Sequence, residues 1–101
     1  MLVMYLKVHE TERGKVIAVC DSDLIGKVLD DGKIFMDLDK NRSFYVGSFA
    51  TKDEVCAALK SFNSINFVGK KCTKILISLD LVASASIEKV CGVPFVQIYE
   101  L

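Results

Sequence analysis

The sequence predicts an α+β domain with a mainly antiparallel sheet of about four strands and with helices packed on one face. Residues 2–9 and 15–20 are rich in strand-forming residues and are joined by a short polar connection. Two later segments carry apolar residues at helical spacing, and a last apolar run covers residues 91–101. The predicted order of elements, β-β-α-β-α-α-β, is typical of the α+β class.

The first half of the chain predicts a hairpin, a short helical turn and a third strand. Residues 2–9 and 15–20 are expected to pair as antiparallel strands. Asp21 stands where an N-cap belongs, and Gly26 is expected to end the turn with a left-handed backbone. Two carboxylates at this turn would repel an anion, and one glycine does not make a phosphate loop. An Asp-Gly turn then leads into the strand predicted at residues 33–38.

The second half predicts two helices. Thr51 and Glu54 have the spacing of a capping box, which begins a helix that we expect to run to about Phe62. Residues 65–68 are interpreted as a short apolar link. The second helix is predicted from about residue 70 to residue 81, with its apolar stripe facing the core.

The end of the chain predicts a short helical turn within residues 84–89 and then a final strand. Pro94 lacks a backbone N–H, so the strand is expected to begin there or to leave that position unpaired. If this strand lay at a sheet edge, it could pair with a second chain. We therefore keep a homo-oligomer formed through the C-terminal strand as one alternative.

Composition and charge exclude several functional classes. The 101 residues predict a single domain, 1–101, and 51% are apolar. Thirteen basic and 13 acidic residues cancel, so the domain as a whole lacks the positive excess of a protein that grips long nucleic acid through phosphates. Only a local basic patch is compatible with this balance. No apolar run is long enough to cross a bilayer and no signal-peptide pattern is present, so we expect a cytoplasmic location.

Metal and cofactor sites are not predicted. The four cysteines, at positions 20, 56, 72 and 91, form no close pair of the kind that structural zinc sites use. His9 is the single histidine. We therefore interpret the cysteines as reduced, buried thiols that behave as small apolar side chains.

A Cys–His pair is the one nucleophilic arrangement that the hairpin could form. In an antiparallel pairing of the first two strands, we expect His9 to lie closer to Val19 than to Val16, and therefore near Cys20. The carboxylate of Asp21 would oppose a reactive thiolate at Cys20. A structural role for both residues is therefore favoured.

The run of residues 40–47 is the best candidate surface for nucleic acid. Lys40 and Arg42 could contact phosphates, while Phe44 or Tyr45 could stack on an unpaired base. The alternative is a solvated loop whose aromatic rings fold back into the core.

Three lysines near the start of the second predicted helix, at positions 70, 71 and 74, form a second basic feature. Cations at the amino end of a helix oppose the helix dipole, so local stability does not explain this placement. A solvated helix face is the alternative. The residues predicted to contact nucleic acid are Lys40, Arg42, Tyr45, Lys70 and Lys71.

Several short motifs occur in a fixed order and spacing. They are Cys20-Asp21 with Leu24-Ile25-Gly26-Lys27, then Phe44-Tyr45-x-Gly47, then Asn66-x-Val68-Gly69, and last Gly92-Val93-Pro94-x-x-Gln97. With these motifs the chain resembles the archaeal "domain of unknown function 424" family from about Val3 to Ile98. The resemblance implies an archaeal, cytoplasmic protein with an RNA-related role by association with translation proteins, but no established activity. Where that family often has a histidine after the closing proline, this chain has Phe95, which argues against catalysis.

The expected function is therefore a small, non-catalytic binding module that contacts RNA or a protein of the translation machinery. One alternative is an enzyme or small-ligand domain with a pocket near Cys20, Gly26 and Pro94. The other is a subunit that works by assembling with itself or with a partner.

Overall fold

The computed structural model describes residues 4–99, which form one six-stranded sheet and one two-stranded hairpin. The strands are β1 (Met4–Thr11), β2 (Gly14–Asp21), β3 (Val28–Asp30), β4 (Phe35–Asp37), β5 (Ser48–Ala50), β6 (Ser64–Val68), β7 (Glu88–Val90) and β8 (Val93–Tyr99). The helices are α1 (Arg42–Tyr45), α2 (Lys52–Ala58) and α3 (Lys70–Ser78). Short 3-10 turns cover Ser22–Leu24 and Ser84–Ser86. Residues 2–3 and 100–101 of the predicted first and last strands lie outside the described part of the chain.

The main sheet has the strand order β5-β1-β2-β6-β8-β7. Neighbouring strands are antiparallel except for β2 and β6, which are parallel. The predicted α+β class with a mainly antiparallel sheet is confirmed, but the expected number of about four strands was wrong. The strands β5 and β7 are only three residues long, and the supposed link at 65–68 is the central strand β6.

One face of the sheet is covered by α2 and α3, as the apolar stripes of these helices predicted. Their core contains side chains from β2 and β6 that are 0–1% exposed: Ile17, Val19, Ile65 and Phe67. The capping box of α2 is confirmed, because Glu54 N donates to Thr51 Oγ1 (3.2 Å) and Thr51 N donates to Glu54 Oε1 (3.0 Å).

Both helices end earlier than their apolar spacing suggested. The α2 helix stops at Ala58, and its C-cap Leu59 precedes the loop that leads into β6. The α3 helix stops at Ser78, because Asp80 takes a left-handed backbone with φ 58°. The N–H groups of Asp80 and Leu81 then donate to the carbonyls of Ile77 and Leu76, which is a Schellman ending without glycine.

The second face is covered by an insert, residues 22–47, that contains β3, β4 and α1. Its buried side chains, Leu24, Leu29, Leu38 and Tyr45, pack against Ala18, Cys20, Val68 and Phe95 of the sheet. The prediction that helices occupy one face only was therefore wrong, since α1 packs on this second face. Burial on both faces explains why β2 and β6 are nearly continuous apolar runs.

The C-terminal strand β8 is covered by β7 over its first three residues. β8 lies between β6 and β7, and β7 pairs with Val93, Pro94 and Phe95. Pro94 was expected to begin the strand or to stay unpaired, but β8 begins one residue earlier, at Val93, and Pro94 is paired with Lys89. The two edge strands of the sheet are β5 and β7. Among residues 4–99, no helix is both long and apolar enough to span a membrane.

Candidate nucleic-acid interface

The amino end of α3 is held by a carboxylate from β2. Asp21 is 4% exposed, and its side chain accepts hydrogen bonds from Lys71 N (2.9 Å) and Cys72 N (3.0 Å). The prediction that Asp21 caps the turn after it was wrong, since its side chain makes no capping bond to Ser22–Leu24. The parallel pairing of β2 with β6 places Cys20 opposite Val68. The next residues in the chain, Asp21 and Gly69, therefore lie close together at the ends of these two strands.

Gly69 makes this contact between β2 and α3 possible. Its φ of 123° lies in the region that favours glycine, and a Cβ there would overlap the carboxylate of Asp21. Asp21 also brings negative charge to the helix terminus, where it offsets the unfavourable interaction of Lys70 and Lys71 with the dipole. The carboxylate thus lowers the electrostatic cost of placing lysines at the start of α3.

Five lysines surround α3 and form what we call the lysine patch: Lys52, Lys70, Lys71, Lys74 and Lys89. Lys70, Lys74 and Lys89 line a depression of about 230 Å³ between α3 and β7. Lys52, Lys71 and Lys74 line another of about 380 Å³ between α2 and α3. All five side chains are exposed. In the described residues the single ion pair joins Arg42 and Asp39, so no patch lysine is paired there.

Two acidic side chains border the lysine patch at the start of α3. Asp21 and Asp23 line a third depression, of about 260 Å³, together with Lys70 and Lys71. The carboxylate of Asp21 already uses the backbone donors of Lys71 and Cys72. An anion that approaches α3 would therefore meet the lysine side chains rather than the helix terminus.

The predicted site residues fall into two separate groups. Lys40 and Tyr45 line a groove of about 510 Å³ between the insert and β8, which we call the insert groove. Lys70 and Lys71 belong to the lysine patch, and the depressions of the patch share no lining residue with the groove. Arg42 Nη2 donates to Asp39 Oδ1 (2.6 Å), so its charge is already paired.

Tyr45 does not offer a ring for stacking, because it is 6% exposed and packs under the insert. Burial raises the pKa of its phenol. Phe44 is half-buried, with its ring stacked on His9 at a centroid distance of 4.6 Å. The exposed ring of the groove is Phe35, which is 63% exposed.

Sequence reasoning missed Phe35 and Lys89 for different reasons. In the predicted strand 33–38 the apolar residues Ile34 and Met36 alternate with Phe35, so the period of two could have placed this ring on the outer side. Lys89 joins the patch because β7 pairs with β8 beside α3, and no local pattern indicates that pairing.

The structure separates the Cys–His pair considered above. The turn between β1 and β2 is two residues long, so His9 faces Val16 and Cys20 faces Tyr5. Four positions along a strand correspond to about 13 Å. The expected register was therefore wrong, and His9 Nε2 lies instead 2.8 Å from the carbonyl oxygen of Phe44.

The thiol of Cys20 is poorly suited to nucleophilic attack. It is 0% exposed, and burial, reinforced by the charges of Asp21 and Asp23, raises its pKa to about 12. Neither Cys20 nor Gly26 lines any of the depressions described here, while Pro94 lines the one that contains Lys89. Phe95, the residue noted above as a departure from the family pattern, is buried between the sheet and the insert.

Comparison with known proteins identifies the family but no activity. A family model described as "Protein of unknown function (DUF424)" matches residues 8–101. The chain belongs to this family. The resemblance inferred from the motifs is thus confirmed, and the function of the DUF424 family is unknown.

A solved structure shares the fold of this DUF424 chain. It is the crystal structure of an uncharacterized conserved protein from Methanopyrus kandleri, 26% identical in sequence, with a TM-score of 0.80. The alignment covers 97% of this chain and 91% of that one. No curated protein matches the chain. These comparisons assign no function to this DUF424 member.

Proposed function

We propose that this DUF424 protein is a non-catalytic module that binds RNA through phosphate contacts of the lysine patch. The observation that carries the proposal is the convergence of five exposed lysines from α2, α3 and β7 on one side of a chain whose net charge is zero. Because the patch is positive and the total is zero, the rest of the molecule is net acidic. This asymmetry would orient the protein toward a polyanion.

The chemistry of the patch favours backbone contacts over base recognition. A lysine ammonium is a compact, strongly hydrated point charge, which attracts phosphate without the fixed geometry needed to select a base. Lys74 lines both main depressions, so consecutive phosphates could lie along α3 from the Lys89 side to the Lys52 side. The expected binding is therefore independent of sequence.

Salt dependence gives a quantitative expectation. Each phosphate neutralised on single-stranded nucleic acid contributes roughly −0.7 to the slope of log K against log salt. Five lysines in contact would give a slope of about −3.5. A slope near zero would mean that phosphates do not carry the binding.

The test is a titration of a fluorescently labelled 20-nucleotide single-stranded RNA at 50 to 200 mM salt. The patch variant changes Lys70, Lys74 and Lys89 to Gln, and we expect it to bind roughly tenfold more weakly, with a slope smaller by about 2. A control variant changes three exposed lysines outside the patch: Lys27, Lys33 and Lys60. It alters the net charge equally and should change the affinity less than about threefold.

Two results would contradict the proposal. Equal losses in the two variants would mean that only net charge matters, and absence of RNA binding by the wild-type chain would exclude the function. A protein of the translation machinery is the other partner expected from the sequence, and it would need an acidic surface to bind the lysine patch. Salt-sensitive binding of polyglutamate without binding of RNA would favour that partner.

A further inference from the structure

The insert groove has the size and the lining of a small-molecule site. Its volume of about 510 Å³ lies within the range of roughly 300–1,000 Å³ that is usual for ligand pockets. Its lining combines three aromatic side chains with three polar ones: Phe35, Phe44 and Tyr45, and Asp37, Lys40 and Gln97. None of these residues belongs to the lysine patch.

Phe35 is the unusual feature of the groove. A ring that is 63% exposed forgoes most of the stabilisation that burial would give it, although Ile34 and Met36 beside it turn toward the core. Exposed aromatic rings in concave surfaces are the usual platform for stacking on an unpaired base. The half-buried Phe44 lines the same groove and adds a second aromatic side chain to its surface.

Three polar groups in the groove have unused hydrogen-bonding capacity within residues 4–99. Asp37 Oδ1 accepts from Asp39 N (3.0 Å) and Lys40 N (2.8 Å), which leaves Oδ2 without a partner there. The exposed side-chain amide of Gln97 makes no hydrogen bond in that part of the chain, and the ammonium of Lys40 forms no ion pair. The groove therefore offers a carboxylate, an amide and a cation around aromatic rings.

We propose that the insert groove binds one nucleotide unit whose base carries an exocyclic amino group. The base would stack on Phe35, with its amino group donating to the Asp37 carboxylate or to the Gln97 amide oxygen. The phosphate would contact the ammonium of Lys40, because the carboxylate of Asp37 repels an anion. The same chemistry is present in a free nucleoside monophosphate and in an unpaired nucleotide of an RNA.

This site is independent of the proposed function. The lysine patch would hold phosphates without reading bases, whereas the insert groove would recognise one base. Uracil lacks an exocyclic amino group, so uridine monophosphate is the natural negative comparison.

The first experiment titrates the ¹⁵N-labelled chain with AMP, CMP and UMP and follows amide shifts. We expect AMP and CMP to shift amides of β4, α1 and β8, and to bind at least about threefold more tightly than UMP. Phe35→Ala should weaken binding roughly fivefold or more, because removing an aromatic ring that stacks on a base usually lowers the affinity by at least that factor. Phe49→Ala removes another exposed ring, on β5, and should leave binding unchanged.

The second experiment repeats the titration with an unstructured A-rich hexanucleotide RNA. Mononucleotide binding that depends on Phe35 identifies a free nucleotide as a sufficient ligand. Binding of the hexanucleotide alone, with the same dependence on Phe35, identifies an RNA nucleotide as the ligand. The triple Gln variant of the lysine patch should retain the Phe35-dependent shifts in either case.

The proposal is overturned if neither ligand shifts groove amides, if UMP binds as tightly as AMP, or if Phe35→Ala changes nothing. Loss of RNA binding in the patch variant with no effect of Phe35→Ala would overturn the groove site and leave the proposed function intact. The opposite result is binding that depends on Phe35, has a salt slope near zero and is fully retained in the patch variant. That result would support the groove site and contradict the proposed function. Since Phe35 is exposed, Phe35→Ala should keep the wild-type unfolding midpoint, which thermal unfolding checks.

Discussion

The amino ends of α2 and α3 meet the same physical need in two ways. The first backbone N–H groups of any helix lack partners inside the helix. In α2 they are satisfied locally, by Thr51 and Glu54 three residues apart. In α3 an N-terminal donor pair binds Asp21, which precedes Lys71 by 50 positions in the chain. A local cap can be recognised in the sequence, whereas a cap that depends on strand order cannot.

The two caps also differ in their surroundings. Thr51 and Glu54 are exposed, so water can replace either side chain as a partner. Asp21 is buried, and its loss would leave the N–H of the buried residue Cys72 without an acceptor. Because α3 carries three lysines of the patch, the proposed RNA surface depends on the non-local cap more than on the local one.

Asp21→Ala should be the most damaging substitution at either helix end. Hydrogen bonds to a carboxylate contribute roughly 1.5–3 kcal/mol each, so we expect a loss of about 3 kcal/mol in the free energy of unfolding. In a domain of this size that corresponds to a fall of roughly 15 °C in Tm. Urea unfolding measures it, and Asp23→Ala is the matched control because Asp23 is exposed and caps nothing.

Thiol labelling locates the damage caused by Asp21→Ala. Cys72 lies in the first turn of α3 and is 0% exposed, so it should react with a thiol reagent only after local opening. In the Asp21→Ala chain we expect Cys72 to react faster under native conditions, while Cys20, equally buried in the sheet, should gain less. Equal acceleration at Cys20 and Cys72 would mean that the whole fold opens and that the contact does not act on α3 specifically.

Gly69→Ala should be the next most damaging change, at about 2 kcal/mol, because a Cβ would overlap Asp21 and the backbone is left-handed. The two effects can be separated by a double-mutant cycle. In an Asp21→Gly background the overlap is gone, so Gly69→Ala should cost roughly 1 kcal/mol less than in the wild-type chain. Additive effects would show that Gly69 is needed for its backbone alone.

The elements that the sequence predicted are those with local determinants. The β1–β2 hairpin follows from strand-forming residues on both sides of a short polar connection. The start of α2 and the position of α3 follow from a capping box and from helical spacing. The strands β3, β4, β5 and β7 have three residues each, too few for a clear periodic pattern. Of these four, only β4 was predicted, because an Asp-Gly turn precedes it. Strand β6 was interpreted as a link because its apolar run is short, although its central place in the sheet makes that run necessary.

In the candidate site, too, the features with local determinants were predicted and those that depend on tertiary packing were not. Lys40, Lys70 and Lys71 were recognisable as exposed cations, because charge in a polar run or on a helix face is a local property. Which of them share a surface depends on strand order, so the sequence joined Lys40 to Lys70 and Lys71 although they line different depressions. Tyr45 was expected to be accessible, but the packing of the insert on the sheet buries its ring.

Alkaline pH should lower the free energy of unfolding through two buried thiols next to the cap of α3, those of Cys20 and Cys72. The folded-state pKa of Cys20 is raised to about 12 from an ordinary value of 9.0, so its contribution to stability is complete below pH 9. As pH rises from 9 toward 12 the unfolded chain ionises first, and stability should fall by at most about 1.4 kcal/mol per pH unit for this thiol. Burial also raises the pKa of Cys72, which acts in the same direction.

Urea unfolding at pH 8, 9 and 10 measures this alkaline loss. Cys20→Ala should reduce its steepness, whatever the cavity costs at pH 8, because the comparison is between slopes. Thr51→Ala should keep the wild-type slope, since it leaves both buried thiols in place. An unchanged slope in Cys20→Ala would assign the alkaline loss to other groups.

Thr51→Ala should have the smallest effect, about 1 kcal/mol, which is typical for the loss of an exposed N-cap side chain. Its hydroxyl accepts from Glu54 N at 3.2 Å, and water can take that place because both residues are exposed. Thr51→Ser keeps the hydroxyl and should recover most of the loss, as measured by urea unfolding. If Thr51→Ala were as damaging as Asp21→Ala, the difference in burial between the two caps would not determine how much each contributes to the free energy of unfolding.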